Sequence, residues 1–296
     1  MLQSTVQNLA NSESLPMTSD NMTSEQNVDD VHAHSFGARH VGAVNWLGLW
    51  TLYAKEVRRF MKIPAQTVLA PTVTTLVFLA VFALALGGAM REIKGIPFLI
   101  FLAPGLIMMA IVQNSFANTS SSVMGSKVQG NFVDVLIPPF SPSELTLALA
   151  GGGVTRGLMV GIAVAVVMTG FVDLKIHNAL AMAFYAVSAS LMLSLIGLAT
   201  AIWAEKFDQM AAITNFFVTP LAFLSGTFYS IDRLPESWHM VSLCNPFFYM
   251  IDGMRYAFIG MAEGSLVLGT VILLLTNVAL WTLCWWMLSS GYKIKE

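Results

Sequence analysis

The sequence predicts an all-α polytopic membrane protein with six transmembrane helices. Three observations carry that prediction. Of the 296 residues, 56% are hydrophobic and only 11% are charged, against about 25% charged in an ordinary soluble domain. Six apolar runs are long enough to cross ~30 Å of hydrocarbon, which takes roughly 20 residues each. The segments before the first run and after the second carry amphipathic helical patterns of their own. One core cannot hide this much apolar surface from water, so lipid is the solvent for most of the chain.

The six runs cover about 66–90, 97–117, 145–170, 179–204, 209–229 and 266–288. Pro71, Pro104 and Pro220 lie inside them, where neighbouring groups re-satisfy the freed carbonyls. No six-span block repeats, so residues 45–296 read as one membrane domain. Residues 1–44 are polar, acidic and short of aromatics. They lack the basic start and apolar core of a signal peptide and read as a disordered cytoplasmic tail. His32, His34 and His40 in that tail have no cysteine or fixed scaffold beside them to make a metal site.

Orientation follows from Lys and Arg in the loops. With the N-terminus inside, the inner segments hold nine (Arg39, Lys55, Arg58, Arg59, Lys62, Lys127, Lys206, Lys293, Lys295) and the outer ones five (Arg91, Lys94, Lys175, Arg233, Arg255). Both termini then lie in the cytoplasm.

Before the first span comes "NWLGLWTLYAKEVRRFMKIP". Trp46, Leu49, Trp50, Tyr53, Val57 and Phe60 recur at helical spacing, with Lys55, Glu56, Arg58, Arg59 and Lys62 mostly elsewhere. This pattern predicts an amphipathic helix lying in the membrane interface, ended by Pro64. After the second span, "GSKVQGNFVDVLIPPFSPSE" places Val128, Phe132, Val135 and Leu136 at i, i+4, i+7 and i+8, on one helical face. Lys127, Gln129, Asn131 and Asp134 point elsewhere. Pro138, Pro139 and Pro142 close the helix, and Ser141 or Ser143 caps the next span with Glu144 near its start. Only Lys127 is basic, so the stripe suits a groove on a protein better than anionic lipid. Outside, residues 247–259 are too apolar for a free loop and too short to span. They predict a re-entrant segment, started by Asn245 and Pro246, with Asp252 and Arg255 spaced to pair.

The chemistry of the chain excludes several classes. No G-x-x-x-x-G-K-[ST] loop is present. "GGGVTRGL", Gly151–Leu158, lies within a span and suits close helix packing through small residues. No H-E-x-x-H, G-x-S-x-G or acidic pair supports catalysis. Cys244 and Cys284 make no disulfide framework, and no basic run marks a nucleic-acid partner. The spans hold no acid of the kind that proton- or sodium-driven transporters keep. Arg156 is the one deep charge. It either bonds to neighbouring carbonyls as a packing detail or faces a hydrated path and an anionic group. Met109, Gln113 and Asn114 in the second span, with Asn215, Phe216 and Phe217 in the fifth, offer a mixed lining for a large amphipathic cargo. Ordinary interhelical packing is the other reading of the same residues.

Together these motifs resemble the membrane subunit of the type-2 ABC transporters, the YadH-like bacterial exporter permeases. The resemblance rests on "AKEVRRFM", "APGLIMMAIVQNSFANTSSSVMGSKVQGN", "GGGVTRGLMVG", "TPLAFLSGTFYSIDRLP" and "NPFFYMIDGMRYAFIG". Pro246, Tyr249 and Arg255 fit its closing signature. It implies a permease in the bacterial inner membrane, paired with a second copy and with two copies of a cytoplasmic ABC ATPase. ATP and Mg would bind that partner, and this chain would bind no cofactor. The path would run along the two-fold axis, lined by spans two and five. The segment Lys127, Val128, Asn131, Phe132, Asp134, Val135 and Leu136 would be the coupling helix. The interfacial helix, with Trp46, Trp50, Lys55, Glu56, Arg58 and Arg59, would sit beside it. The expected function is the permease subunit of an ATP-driven exporter. The alternative is a passive channel or secondary transporter not coupled to ATP.

Overall fold

The computed structural model describes residues 44–86, 92–231 and 235–293. The tail, its three histidines and the last residues of the first predicted span lie outside them. Helix α1 (Trp46–Met61) is capped by the Asn45 side chain, which accepts from the Gly48 amide. A π-helical turn (Ala65–Leu69) leads into α2 (Ala70–Leu86). A two-residue hairpin, β1 (Glu92–Ile93) and β2 (Ile96–Pro97), turns through Lys94 and Gly95 at positive φ. Then come α3 (Phe98–Val128), α4 (Phe132–Leu136), α5 (Pro142–Met168) and α6 (Ala179–Trp203). The fifth predicted span is built in three pieces: α7 (Phe207–Ile213), a second π-helical turn (Thr214–Val218) and α8 (Thr219–Leu224). Helices α9 (Glu236–Cys244), α10 (Pro246–Ile259) and α11 (Leu266–Ser290) complete the order.

Among the described residues, five helices are long and apolar enough to cross a membrane: Ala65–Ala85, α3, α5, α6 and α11. The predicted span 209–229 differs. Its helix ends at Leu224, and Gly226 at φ +76° then turns the chain. From Phe207 to Leu224 it is 18 residues, roughly 27 Å at helical rise, with polar residues in its first half. Both π-helical turns stop two residues before a proline, Pro71 and Pro220. Proline has no N–H to return to the preceding turn, and a wider turn accommodates that loss.

Helix α3 is the hub. It is 31 residues long where the sequence predicted a span over 97–117, and 83% of its most apolar window is buried. A helix apolar on every side must be enclosed on every side, and α5, α6, α10 and α2 pack around it. Helices α2 and α11 show the opposite balance, with only 17% of their windows buried. Their valines and leucines (Val73, Val77, Val81, Leu274, Leu275, Val278) face outward, as lipid-facing positions do.

Helix α1 corrects one expectation. Its inward face is Leu52, Glu56 and Phe60, all buried, rather than the stripe through Trp46 and Trp50. Glu56 therefore points into the protein, while Trp46 and Trp50 are 71% and 63% exposed. The two tryptophans remain on the outward side, where an interfacial helix carries its aromatics.

Candidate functional site

Helices α5 and α3 approach through small residues. A Cβ on Gly153 would meet Thr119 Oγ1 at 2.3 Å, one on Gly157 would meet Ser115 Oγ at 1.9 Å, and one on Gly161 would meet Ile111 Cγ1 at 2.4 Å. Glycines at i, i+4 and i+8 thus let the two backbones close. That contact fixes Arg156. Its Nη2 donates to Asn114 Oδ1 at 3.3 Å, and its buried Nε finds no hydrogen-bond partner.

One turn along α3 the arrangement repeats. Arg59 of α1 donates through Nη2 to Asn118 O at 2.8 Å and Asn118 Oδ1 at 3.0 Å. Glu56 lies 3.4 Å from Arg59 Nε, pressed against the bare Cα of Gly152. Two guanidinium groups therefore sit on successive asparagines of α3, and the one carboxylate, Glu56, pairs with Arg59. Sequence pattern placed Arg59 and Glu56 among the outward charges. The partner that turns them inward, Asn118, is 59 residues away from Arg59 and leaves no local signal.

Met109, Gln113 and Asn114 line a crevice of about 370 Å³ between α2 and α3, with Gln66, Thr74, Thr75 and Phe78 on the facing wall. Gln113 is exposed on an otherwise enclosed stretch of α3. Asn215, Phe216 and Phe217 do not join it. They lie in the second π-helical turn with their side chains exposed, Phe216 at 76%.

At the far end of α3, Lys127 Nζ donates to the carbonyls of Ala204 (2.7 Å), Ile202 (2.8 Å) and Ala201 (3.4 Å). It caps the C-terminus of α6, where a cation also meets the negative end of the helix dipole. Just beyond, Lys293 lies 2.7 Å from Glu205 and holds that carboxyl below its ordinary range.

The predicted amphipathic helix after the second span is not one helix. Val128 is the last residue of α3, and Gly130 at φ +73° breaks the chain before α4. The stripe is split accordingly. Phe132 is buried among Leu52, Val123, Met124 and Leu145, and Val135 and Leu136 pack against the same cluster. The exposed apolar side chains are instead Val128, Val133 and Ile137, at 58%, 55% and 73%. Asn131 and Asp134 are exposed beside them and line a polar crevice of about 490 Å³ with Lys55, Glu56, Arg59 and Gln129. After the prolines, Ser141 and Glu144 form a reciprocal capping box at the start of α5. The Glu144 carboxylate also accepts from the Asn45 amide at 2.6 Å, tying α5 to the start of α1.

Helix α10 starts at Pro246 with Asn245 accepting from the Phe247 amide, and Tyr249 donates its hydroxyl to Leu243 O at 2.8 Å. The predicted Asp252–Arg255 pair does not form. Asp252 accepts from the amides of Glu263 (2.7 Å) and Gly264 (2.9 Å), which brings Glu263 to face Arg255. Arg255 is fully buried. It donates to Gly226 O at 2.8 Å, lies 3.8 Å from the centroid of the Phe101 ring, and sits 3.8 Å from Glu263 Oε2. Glu263 also accepts from the Ile231 amide and lies 3.5 Å from Lys94 of the hairpin. Sequence reading missed Glu263, because eight residues separate it from Arg255 with a turn between.

The comparisons with known proteins agree with this arrangement. The ABC-2 type transporter family matches residues 48–259. The inner membrane transport permease YadH of Escherichia coli (strain K12) is 36% identical over 251 residues, covering 85% of this chain and 98% of that protein. Nodulation protein J of Rhizobium leguminosarum bv. viciae is 21% identical over 223 residues, covering 74% and 84%. Nodulation protein J of Sinorhizobium fredii (strain NBRC 101917 / NGR234) is 22% identical over 227 residues, covering 76% and 85%. With a family match over most of its length and a full-length relative above 30% identity, this chain belongs to the ABC-2 type transporter family and is a membrane subunit of such a transporter.

Proposed function

We propose that the chain is the permease subunit of an ATP-driven exporter in a bacterial inner membrane. It works as a homodimer with two copies of a separate cytoplasmic ABC ATPase, which binds the ATP and Mg. This chain itself carries no cofactor. The fifth helix, Phe207–Leu224, is the sixth crossing needed to bring both termini to the cytoplasmic side. Its exposed Asn215, Phe216 and Phe217 then face the path together with Gln113 of α3. Helix α10 is the external re-entrant segment.

One observation carries the coupling assignment. Val128, Val133 and Ile137 form an exposed apolar trio at the end of α3 and on α4, beyond the membrane-length helices. That segment is anchored behind by buried Phe132 and by Lys127. A surface greasy in front and rigid behind suits a protein groove that pushes on it. Force applied there reaches α3 directly, and α6 through Lys127.

Co-purification tests the proposal. Tagged full-length chain at native expression level is expected to bring down an ATPase subunit. The double variant Val133→Asp, Ile137→Asp is expected to lose it while keeping the wild-type unfolding temperature. Capture of the ATPase by the variant, or its absence from the wild type, contradicts the proposal.

A further inference from the structure

The crevice of about 370 Å³ between α2 and α3 is polar at one end and apolar at the other. One wall carries Gln66, Thr74 and Phe78, from the first π-helical turn into α2, and the other carries Leu106, Met109 and Gln113 of α3. The two helices flank the β1–β2 hairpin and run antiparallel. Gln66 therefore shares an end with Gln113, and Phe78 shares the opposite end with Leu106. Gln66 and Phe78 are about 18 Å apart at helical rise, over half of the ~30 Å of hydrocarbon.

Gln66, Thr74 and Gln113 are exposed, yet each lies on a helix long and apolar enough to cross a membrane. Their side chains have no hydrogen-bond partner among the described residues. Thr72 and Thr75, by contrast, return their hydroxyls to the carbonyls of Val68 and Pro71. The adjacent outward stripe of α2 is Val73, Val77 and Val81. Lipid meets valine there without penalty, whereas an amide or hydroxyl left unpaired in hydrocarbon is costly. The polar stripe calls for an occupant that hydrogen-bonds.

The lining also limits the charge of that occupant. No Asp, Glu, Lys, Arg or His lines the crevice among the described residues. Asn114 lines it, but its amide is already engaged: Nδ2 donates to Ala110 O at 3.0 Å, and Oδ1 accepts from Arg156. A charged group entering here would leave water and meet no counter-charge in the lining. A head that hydrogen-bonds without charge fits the glutamine end, and an apolar body fits the adaptable wall of Met109, Leu106 and Phe78.

We infer that the crevice takes an amphipathic cargo with an uncharged head rich in hydroxyl or amide groups, and that Gln66, Thr74 and Gln113 set this specificity. The inference rests on the reading of the chain as a transport subunit and narrows its substrate class. With the N-terminus in the cytoplasm, the glutamine end lies toward the inner leaflet, and the body of the cargo points to the bilayer centre.

The test is binding of tritiated decyl β-glucoside to the full-length chain in phosphatidylcholine nanodiscs, with empty nanodiscs subtracted. Decyl phosphate and decyltrimethylammonium serve as charged competitors with the same tail. Saturable binding that neither charged compound displaces is expected for the wild type. Gln113→Leu is expected to raise Kd roughly three- to tenfold, the range for losing one neutral hydrogen bond. Gln113→Glu is expected to let decyltrimethylammonium compete, a gain that misfolding cannot produce. Displacement from the wild type by the charged compounds as readily as by unlabelled glucoside overturns the inference, as does wild-type affinity in Gln113→Leu. No saturable binding to a chain shown dimeric by light scattering also overturns it, and marks the crevice as covered by the second copy. No ATPase is present in these measurements, so their failure and the failure of ATPase docking are separate results.

Discussion

Arginines pack against both halves of α3, and they are held differently: Arg255 is fully buried, while Arg59 and Arg156 are partly exposed. Near the start of α3 Arg255 and Lys94 both face Glu263, with the Asp252 carboxylate nearby on the amides of the same turn, and the guanidinium is further covered by the ring of Phe101. Further along α3 Arg59 pairs with Glu56, and Arg156 donates to the neutral amide of Asn114. The first cluster joins the hairpin, the segment after α8 and the turn after α10. The second cluster holds one carboxylate for two arginines. A buried charge met by its counter-charges is part of the structure, and removing it should cost more than removing a partly exposed one.

The largest effect should come from breaking the first cluster. Arg255→Met removes the fully buried counter-charge of Glu263, which costs ~3–5 kcal/mol. Folded protein recovered in detergent should drop sharply, as read by size-exclusion profile and thermal unfolding. Gly157→Val comes next. Its added side chain meets Ser115 and the backbone oxygen of Ile111, and overpacking of this kind costs about 1–3 kcal/mol. Lys127→Met removes three carbonyl contacts at the end of α6 and should cost about 1–2 kcal/mol. Arg156→Met should cost least, near zero or slightly stabilising, because it removes an uncompensated charge rather than half of a pair. Equal thermal losses for Arg156→Met and Arg255→Met would erase the distinction between the two clusters.

Much of the fold was legible because lipid imposes a length on apolar runs. Local chemistry was legible too: the Ser141–Glu144 capping box, the Asn245 cap and the glycine run of α5 each follow from residues a few positions apart. Three features were not. The face of α1 that turns inward could not be read, since lipid-facing and core-facing stripes are both apolar and only Asn118, distant in sequence, selects between them. The burial of Phe132 was hidden because Gly130 breaks a helical pattern that the spacing of Val128 and Phe132 leaves intact on paper. The fifth helix was overextended, since Tyr229 and its neighbours are apolar enough to continue a run that Gly226 ends. Of the candidate path residues, Asn114 and Arg156 meet directly, and Met109 and Gln113 line a crevice with Asn114. No local pattern tells that the residues of Phe207–Leu224 lie apart from them in one protomer.

The most direct test of an ATP-driven permease seated on its motor through α4 is ATP hydrolysis. The ATPase subunit that co-purifies with the chain would be isolated and its hydrolysis rate measured alone, with wild-type chain in nanodiscs, and with the Val133→Asp, Ile137→Asp variant. The wild-type chain should change the rate, and the variant should leave it at the value of the isolated ATPase. A rate that ignores the wild-type chain, or responds equally to both, would contradict the coupling of this chain to ATP.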